Sequence, residues 1–240
     1  MRETEIITLE SSARGEIVEI CRRMYNRRYI SGTDGNVSVR LSRNRILVTP
    51  SGVNKGFLRE SDMVLLDSKG NLIKGKTKPS SEVKMHLLAY EMREDIGAAV
   101  HAHPVNAIAF TIARVSLAQC VLPEAVLSFG DVPPAGYATP STGDVPRVLC
   151  EHLLKHDAVM MDRHGSLTLG RTLEEAYNRL ESLEHTAEIT LRARLLGPVA
   201  PLPQDEVLRL KNIAKDMGAQ TSFTSCEGCN VCRPSGKKPS

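Results

Sequence analysis

Asp34-Gly35-Asn36-Val37-Ser38-Val39-Arg40-Leu41 and, after four polar residues, Ile46-Leu47-Val48-Thr49-Pro50-Ser51-Gly52 carry the pattern that decides the fold. Val37, Val39 and Leu41 alternate with Ser38 and Arg40, the period-two spacing of a half-buried strand. The short polar turn before Ile46 makes the second run its antiparallel neighbour. Met63-Val64-Leu65-Leu66-Asp67, Ser68-Lys69-Gly70-Asn71 and Leu72-Ile73 read as another hairpin. Upstream, residues 12–29 have helical spacing, with Ile17, Ile20, Cys21, Met24 and Tyr25 on one side, and Ser31-Gly32-Thr33-Asp34 stops that helix. Downstream, Pro79-Ser80-Ser81 caps a helix from about Glu82 to Arg93. A strand over Ile96–His101, a helix over Val105–Ala113 and a helical stretch over Leu149–Leu154 follow. Strands at residues 158–161 and 166–169 flank His164-Gly165. Thr172, with Glu175 in a capping box, opens a helix running to about Leu196. A last helix spans about Gln204–Met217. Five prolines make residues 121–146 mostly loop. Helices interleaved with hairpins give a mixed α/β fold with a largely antiparallel sheet, in one domain.

Composition narrows the function. Hydrophobic residues at 41% and charged residues at 25% support a genuine core. With 4% aromatics and no Trp, that core is built from Leu, Val, Ile, Ala and Met. The net charge of +3 is spread along the chain except at Arg22, Arg23, Arg27 and Arg28. That cluster reads as a solvated helix face or subunit contact rather than a nucleic-acid footprint. No apolar run approaches a membrane span, and Met1–Glu5 is polar without a signal-peptide core, so the expected location is cytoplasmic and neither membrane nor nucleic acid is an expected partner.

Chemistry concentrates at a few positions. His101-Ala102-His103 ends a predicted strand, and residues two apart on a strand point to one face, so the two imidazoles can converge on one ion. Alone, such a pair reads equally well as two surface histidines. His164 sits at a break between strands, where a turn can present a third imidazole, and Glu82 lies in the first turn of a helix. Three neutral imidazoles and a carboxylate suit Zn²⁺, with other divalent transition metals as alternatives. His86, His152, His156 and His185 read as surface or packing residues. Asp34-Gly35-Asn36, Pro50-Ser51-Gly52 and Ser80-Ser81 offer hydroxyls, an amide and free backbone N–H groups of the kind that cradle phosphate, although each alone is simply a turn. Neither the dinucleotide-binding nor the P-loop glycine signature occurs.

The order Gly35-Asn36-Val37-Ser38, Thr49-Pro50-Ser51-Gly52, Pro79-Ser80-Ser81-Glu82, His101-Ala102-His103 and His164-Gly165 resembles the class II aldolase/adducin family over roughly residues 10–200. The resemblance implies a three-layer α/β/α fold around a central, mostly antiparallel sheet, and a homotetramer with active sites at subunit interfaces. It implies that His101, His103 and His164 hold one zinc ion per subunit, with Glu82 as a displaceable ligand that becomes the catalytic base. Gly35, Asn36, Ser51, Gly52, Ser80 and Ser81 would bind the substrate phosphate. The implied reaction is cleavage of a ketose 1-phosphate to dihydroxyacetone phosphate and a short aldehyde, with the metal as Lewis acid. Epimerisation, dehydration or decarboxylation of a sugar phosphate, and a non-catalytic scaffold role, are the alternatives within the family. The family's aldolases take a tyrosine from a neighbouring subunit at the aldehyde end. Here that stretch reads Leu122-Pro123-Glu124-Ala125-Val126-Leu127, which leaves Glu124 and the more distant Tyr137 as acids.

Residues 1–217 are expected to form the catalytic domain and residues 218–240 a mobile tail. The tail carries Cys226-Glu227-Gly228-Cys229-Asn230-Val231-Cys232, a C-x₂-C-x₂-C run that can bind Zn²⁺ or three corners of an iron–sulfur cluster. Without a fourth ligand it reads equally as a redox-sensitive tail, and no catalytic role is assigned to it.

Overall fold

The computed structural model describes residues 3–117, 120–130, 132–139 and 143–216. The cysteine run at 226–232 lies outside these residues. An eight-stranded sheet forms the middle layer. Its strands are β1 (Asn36–Ser42), β2 (Arg45–Val48), β3 (Val64–Leu66), β4 (Leu72–Lys74), β5 (Ala98–Ala102), β6 (Pro134–Ala135), β7 (Ala158–Met161) and β8 (Gly165–Gly170). Their order is β4-β3-β2-β1-β5-β8-β7-β6, and every neighbouring pair is antiparallel except β6 with β7. The expectation of a mostly antiparallel sheet therefore holds.

Strand alternation sorts side chains into two outer layers. Val37, Leu41, Leu47, Ala98, Val100 and Ala102 face the helices α1 (Glu3–Asn26) and α6 (Leu173–Leu196), where Ile17, Cys21, Met24, Tyr177 and Leu180 complete one core. Ile46, Ala99, Leu167 and Leu169 face α2 (Val83–Met92) and α5 (Asp144–Leu153), meeting Met85, Ala89, Leu149 and Leu153 in a second. Helix on sheet on helix is the three-layer arrangement expected. Three further helices, α3 (Val105–Ile112), α4 (Pro123–Ser128) and α7 (Gln204–Asp216), extend the α6 side.

Ion pairs tie the layers together. Arg23 pairs with Glu174 at 2.9 Å and lies over the Tyr177 ring, and Arg27 pairs with Glu181 at 2.7 Å, so two of the clustered arginines clamp α1 to α6. Buried Asp157 at the head of β7 receives Arg93 at 2.5 Å and Arg179 at 3.0 Å, joining the end of α2 to α6.

Three local expectations change. First, α1 begins at Glu3, well before residue 12. Second, residues 121–146 contain α4 and the start of α5, because Pro123 occupies a first-turn position where its missing N–H costs nothing. Third, Thr172 Oγ accepts from Glu175 N at 3.2 Å, but the Glu175 carboxylate turns to Arg171 N at 2.8 Å, so only half of the capping box forms.

Candidate metal centre and active site

The site forms at one end of the sheet, beside the start of α2. Asn36 on β1 sits directly opposite His101 on β5, so both side chains leave the same face. His103 lies just past the end of β5, where its backbone N–H donates to Tyr29 O at 2.8 Å. His164 comes from the tight turn between β7 and β8. Arg163 before it has φ +57°, a left-handed conformation that costs a side-chain-bearing residue on the order of 1–3 kcal/mol. The turn is held by Arg163 N donating to Thr111 Oγ1 at 3.0 Å.

These positions bring the three imidazoles together. Ring centroids of the His101/His103, His101/His164 and His103/His164 pairs are 4.9, 4.9 and 5.3 Å apart. One nitrogen from each ring lies within 4.8 Å of the other two. Glu82 bridges the group: Oε1 is 2.9 Å from His164 Nε2 and Oε2 is 3.3 Å from His101 Nε2. His101 Nε2 is also 3.1 Å from His103 Nε2.

The donor chemistry fits a cation. His101 Nδ1 faces Ser166 O at 2.8 Å, and a carbonyl only accepts, so Nδ1 carries the ring proton and Nε2 presents its lone pair. That lone pair points at a carboxylate oxygen and a second imidazole nitrogen, a repulsive convergence of acceptors unless positive charge sits among them. Four ligands at about 2.0–2.1 Å around a tetrahedral Zn²⁺ lie about 3.3 Å apart, close to the separations here. His103 is held neutral: burial pushes its pKa down to about 3, with His101 and His164 adding to the effect and Glu82 opposing it. For Glu82, burial acts to raise the carboxyl pKa, but the close approach of His101 and His164 outweighs it and holds the pKa below the usual carboxylate range.

Three turns converge on Glu82 and are stitched to one another. Asn36 Nδ2 donates to Glu82 Oε2 at 3.0 Å, joining the first turn to the third. Ser51 N donates to Lys78 O at 2.9 Å and Pro50 bridges Pro79, joining the second to the third. Lys55 Nζ donates to Thr33 O at 3.0 Å and Val53 O at 2.8 Å, joining the first to the second. Gly35 has φ +70°, and a Cβ there would lie 2.5 Å from Ile30 Cγ2 and 3.0 Å from His101 O, so only glycine fits. Ser80 is buried and its Oγ accepts from Glu82 N at 3.3 Å, while Ser51, Gly52 and Ser81 are exposed.

A polar ladder fixes the helix that carries Glu82. Asn36, Ser38 and Arg40 share one face of β1 and meet α2 at intervals of one turn. Asn36 reaches Glu82. Ser38 Oγ lies 2.7 Å from both His86 Nδ1 and Tyr90 OH. Arg40 donates to Tyr90 O at 2.9 Å and Glu94 O at 2.6 Å, satisfying carbonyls at the helix C-terminus. Two strand residues rise about 6.6 Å and four helix residues about 6 Å, so the rungs stay in register. His86 is fully buried here, which decides for packing between the two roles expected of it. The signal was available: His86 lies four residues after Glu82 and Ser38 two after Asn36, the spacings that place each pair on one face. Sequence reasoning also passed over Asp34 Oδ2, 3.6 Å from His103 Nδ1, and the nearly inaccessible Lys55.

The family model for the class II aldolase and adducin N-terminal domain matches residues 15–191. The chain belongs to the class II aldolase and adducin family. Among curated relatives, the L-fuculose phosphate aldolase of Methanococcus maripaludis is 36% identical over 174 residues, which span 72% of this chain and 93% of that protein. The 3-oxo-tetronate 4-phosphate decarboxylase of Haemophilus influenzae is 32% identical over 205 residues, 83% of this chain and 96% of that protein. Among solved structures, an L-fuculose 1-phosphate aldolase superposes with a TM-score of 0.79 at 30% identity, covering 85% of this chain and 97% of the other. Class II aldolase relatives on this scale support lyase chemistry for the chain. Two expected residues stand apart from the histidines. Glu124 is exposed on the first turn of α4, and Tyr137 is also exposed. Among the described residues, neither makes a hydrogen bond or ion pair with the cluster.

Proposed function

We propose that this chain is a divalent-metal-dependent aldolase that cleaves a ketose 1-phosphate, L-fuculose 1-phosphate or a related deoxy-ketose phosphate, to dihydroxyacetone phosphate and a short aldehyde. The observation that carries this reading is the Glu82 carboxylate, within 3.3 Å of two imidazoles of a three-histidine cluster and hydrogen-bonded to a turn of the proposed phosphate cradle. His101, His103, His164 and Glu82 would hold the ion, Zn²⁺ in this reading, with Mn²⁺, Fe²⁺ or Co²⁺ compatible with the same donors. Such an ion supplies Lewis acidity for the negative charge that develops on the ketone oxygen when the bond between C3 and C4 breaks.

The protein groups do the rest. Gly35, Asn36, Ser51, Gly52, Ser80 and Ser81 hold the phosphate end, so that remote binding positions the reacting carbons. As C3–C4 breaks, the C4 hydroxyl gives up its proton and the bonding electrons move to C3. In condensation the ionised Glu82 removes the proton from C3. In cleavage Glu82, first protonated from solvent, returns one to C3 while the C4 hydroxyl proton passes to its own partner. The carboxylate starts within hydrogen-bond reach of the reacting end. Asn36 Nδ2 orients the carboxylate for both directions. The partner for the C4 oxygen is Glu124 or Tyr137 from a neighbouring subunit of a homotetramer. Their exposure in the single chain supports contribution across an interface. The same reading takes residues 1–217 as one catalytic domain, residues 218–240 as an appended tail, and the cytoplasm as the compartment; no helix among the described residues is long and apolar enough to cross a membrane.

A second reading has its own support. The H. influenzae relative is named for a decarboxylase, and Leu stands where the family's aldolases carry their tyrosine, so decarboxylation of a sugar-acid phosphate is the alternative. A metal-replete assay over a panel of ketose 1-phosphates, with trapping of dihydroxyacetone phosphate, run beside 3-oxo sugar-acid phosphates, with trapping of carbon dioxide, separates the two. Glu82→Gln should keep its metal and lose turnover. Normal turnover in that variant removes the base assignment, and carbon dioxide release without triose phosphate supports the alternative.

A further inference from the structure

We infer that Lys55 is the buried counter-charge for the substrate phosphate. This rests on the phosphate-cradle reading above and supplies what that cradle lacks. Gly35, Asn36, Ser51, Gly52, Ser80 and Ser81 are all uncharged, whereas a phosphate monoester carries a charge of about −1.5 to −2 at neutral pH. Hydrogen-bond donors alone leave most of that charge uncompensated.

Lys55 lies three residues after Gly52, at the start of a short 3₁₀ turn, and is 2% exposed. Its Nζ donates to Thr33 O and Val53 O, at 3.0 and 2.8 Å. Thr33 stands two residues before Gly35, and Val53 directly follows Gly52. The ammonium therefore sits behind two of the three turns, and the third is tied to them through Ser51 N and Lys78 O. An ammonium has three protons to donate, and among the described residues two are used. No carboxylate among those residues reaches Nζ within the 4.0 Å of an ion pair. Asp34 and Glu82 act on it only at longer range, and burial lowers its pKa against their pull and that of Cys21. An ammonium taken out of water without an adjacent anion is costly, and an apolar side chain would fill the same volume without that cost. Two backbone carbonyls justify a donor there but not a charge. A phosphate arriving at the mouth of the turns accounts for both.

The alternative is a staple that only ties two turns together, and two substitutions separate it from a counter-charge. Lys55→Gln keeps an NH₂ donor for the carbonyls on a shorter stem but removes the charge. Lys55→Met removes both. The assay is competitive inhibition by inorganic phosphate of the metal-replete enzyme, with metal content and thermal midpoint measured alongside. Both variants should bind phosphate at least about tenfold more weakly than wild type and raise KM for the ketose 1-phosphate more than they lower kcat, with metal content retained. Affinity within twofold of wild type in Lys55→Gln overturns the inference and leaves the cradle reading intact. A wild-type protein that ignores phosphate removes the cradle reading, and the inference with it. Should neither variant fold, phosphate titrated into the wild-type protein must shift the assigned Lys55 Cε–H signals; unmoved signals overturn the inference.

Discussion

Gly165 is the tightest point around the histidines, and Gly165→Ala should damage metal binding out of proportion to its size. A Cβ at this position would lie 2.3 Å from Ala102 O, 2.9 Å from His103 Cδ2 and 3.0 Å from His101 Cε1. Its φ is not left-handed, so the cost is purely one of space. Ordinary van der Waals contact begins near 3.4 Å, so the two rings must retreat by about 0.4–0.5 Å and the strand carrying Ala102 by more. Metal–ligand distances tolerate about ±0.2 Å, so the ring displacement alone exceeds what coordination allows. Overpacking of this kind costs about 1–3 kcal/mol, or roughly 2–12 °C in melting temperature for a chain of this length. Metal affinity should fall by about 10–100-fold, the range seen when groups supporting ligands are disturbed. The assay is competitive metal titration and thermal melting of Gly165→Ala beside Gly136→Ala, whose Cβ meets nothing within 4 Å. Wild-type metal affinity in Gly165→Ala would refute the reasoning, since the two rings could then move without consequence.

Other expectations follow from burial and capping. Burial, assisted by the nearby His101, pushes the His86 pKa from about 6.5 down to about 3. Between these values the unfolded chain takes up a proton that the folded chain refuses, so the metal-free protein should lose stability as pH falls below about 6.5, by up to about 1.4 kcal/mol per pH unit from this group. Urea unfolding at pH 7, 6 and 5 measures it, and His86→Asn should flatten the slope by one proton's share. Thr172→Ala removes the side chain that caps α6 and should cost about 1 kcal/mol in the same unfolding assay. Cys21 is buried, with its thiol pushed up to about 12, whereas Cys150 is exposed. Iodoacetamide should label Cys150 in the native protein and Cys21 only after denaturation, as read by peptide mass spectrometry.

Much of the site was legible because it obeys local geometry. The two-residue spacing of His101 and His103 dictates a shared face whatever surrounds it, and a carboxylate just before an apolar helical run belongs at a helix start. The break between two apolar runs located His164. What stayed hidden depends on pairing between distant elements. His86 read as either a surface or a packing residue because Lys84 and Glu91 share its helix; the strand that buries it lies nearly fifty residues earlier, and only the β1–α2 register decides between the two. Lys55 carries a charge that normally marks a surface, and its burial follows from the carbonyls of two turns that no local pattern joins. The prolines near residue 123 failed for another reason: the same residue that ends one helix is well suited to begin the next.

The central claim is that His101, His103, His164 and Glu82 enclose one divalent ion on which turnover depends. The most direct measurement is metal content per chain, together with retro-aldol activity before and after rigorous chelation, in protein whose Cys226, Cys229 and Cys232 are changed to Ser. The account predicts one ion per chain, its loss in His103→Ala, no activity after chelation, and recovery on adding Zn²⁺. Undiminished turnover in chelated protein, or a full equivalent of bound metal in His103→Ala, would contradict it.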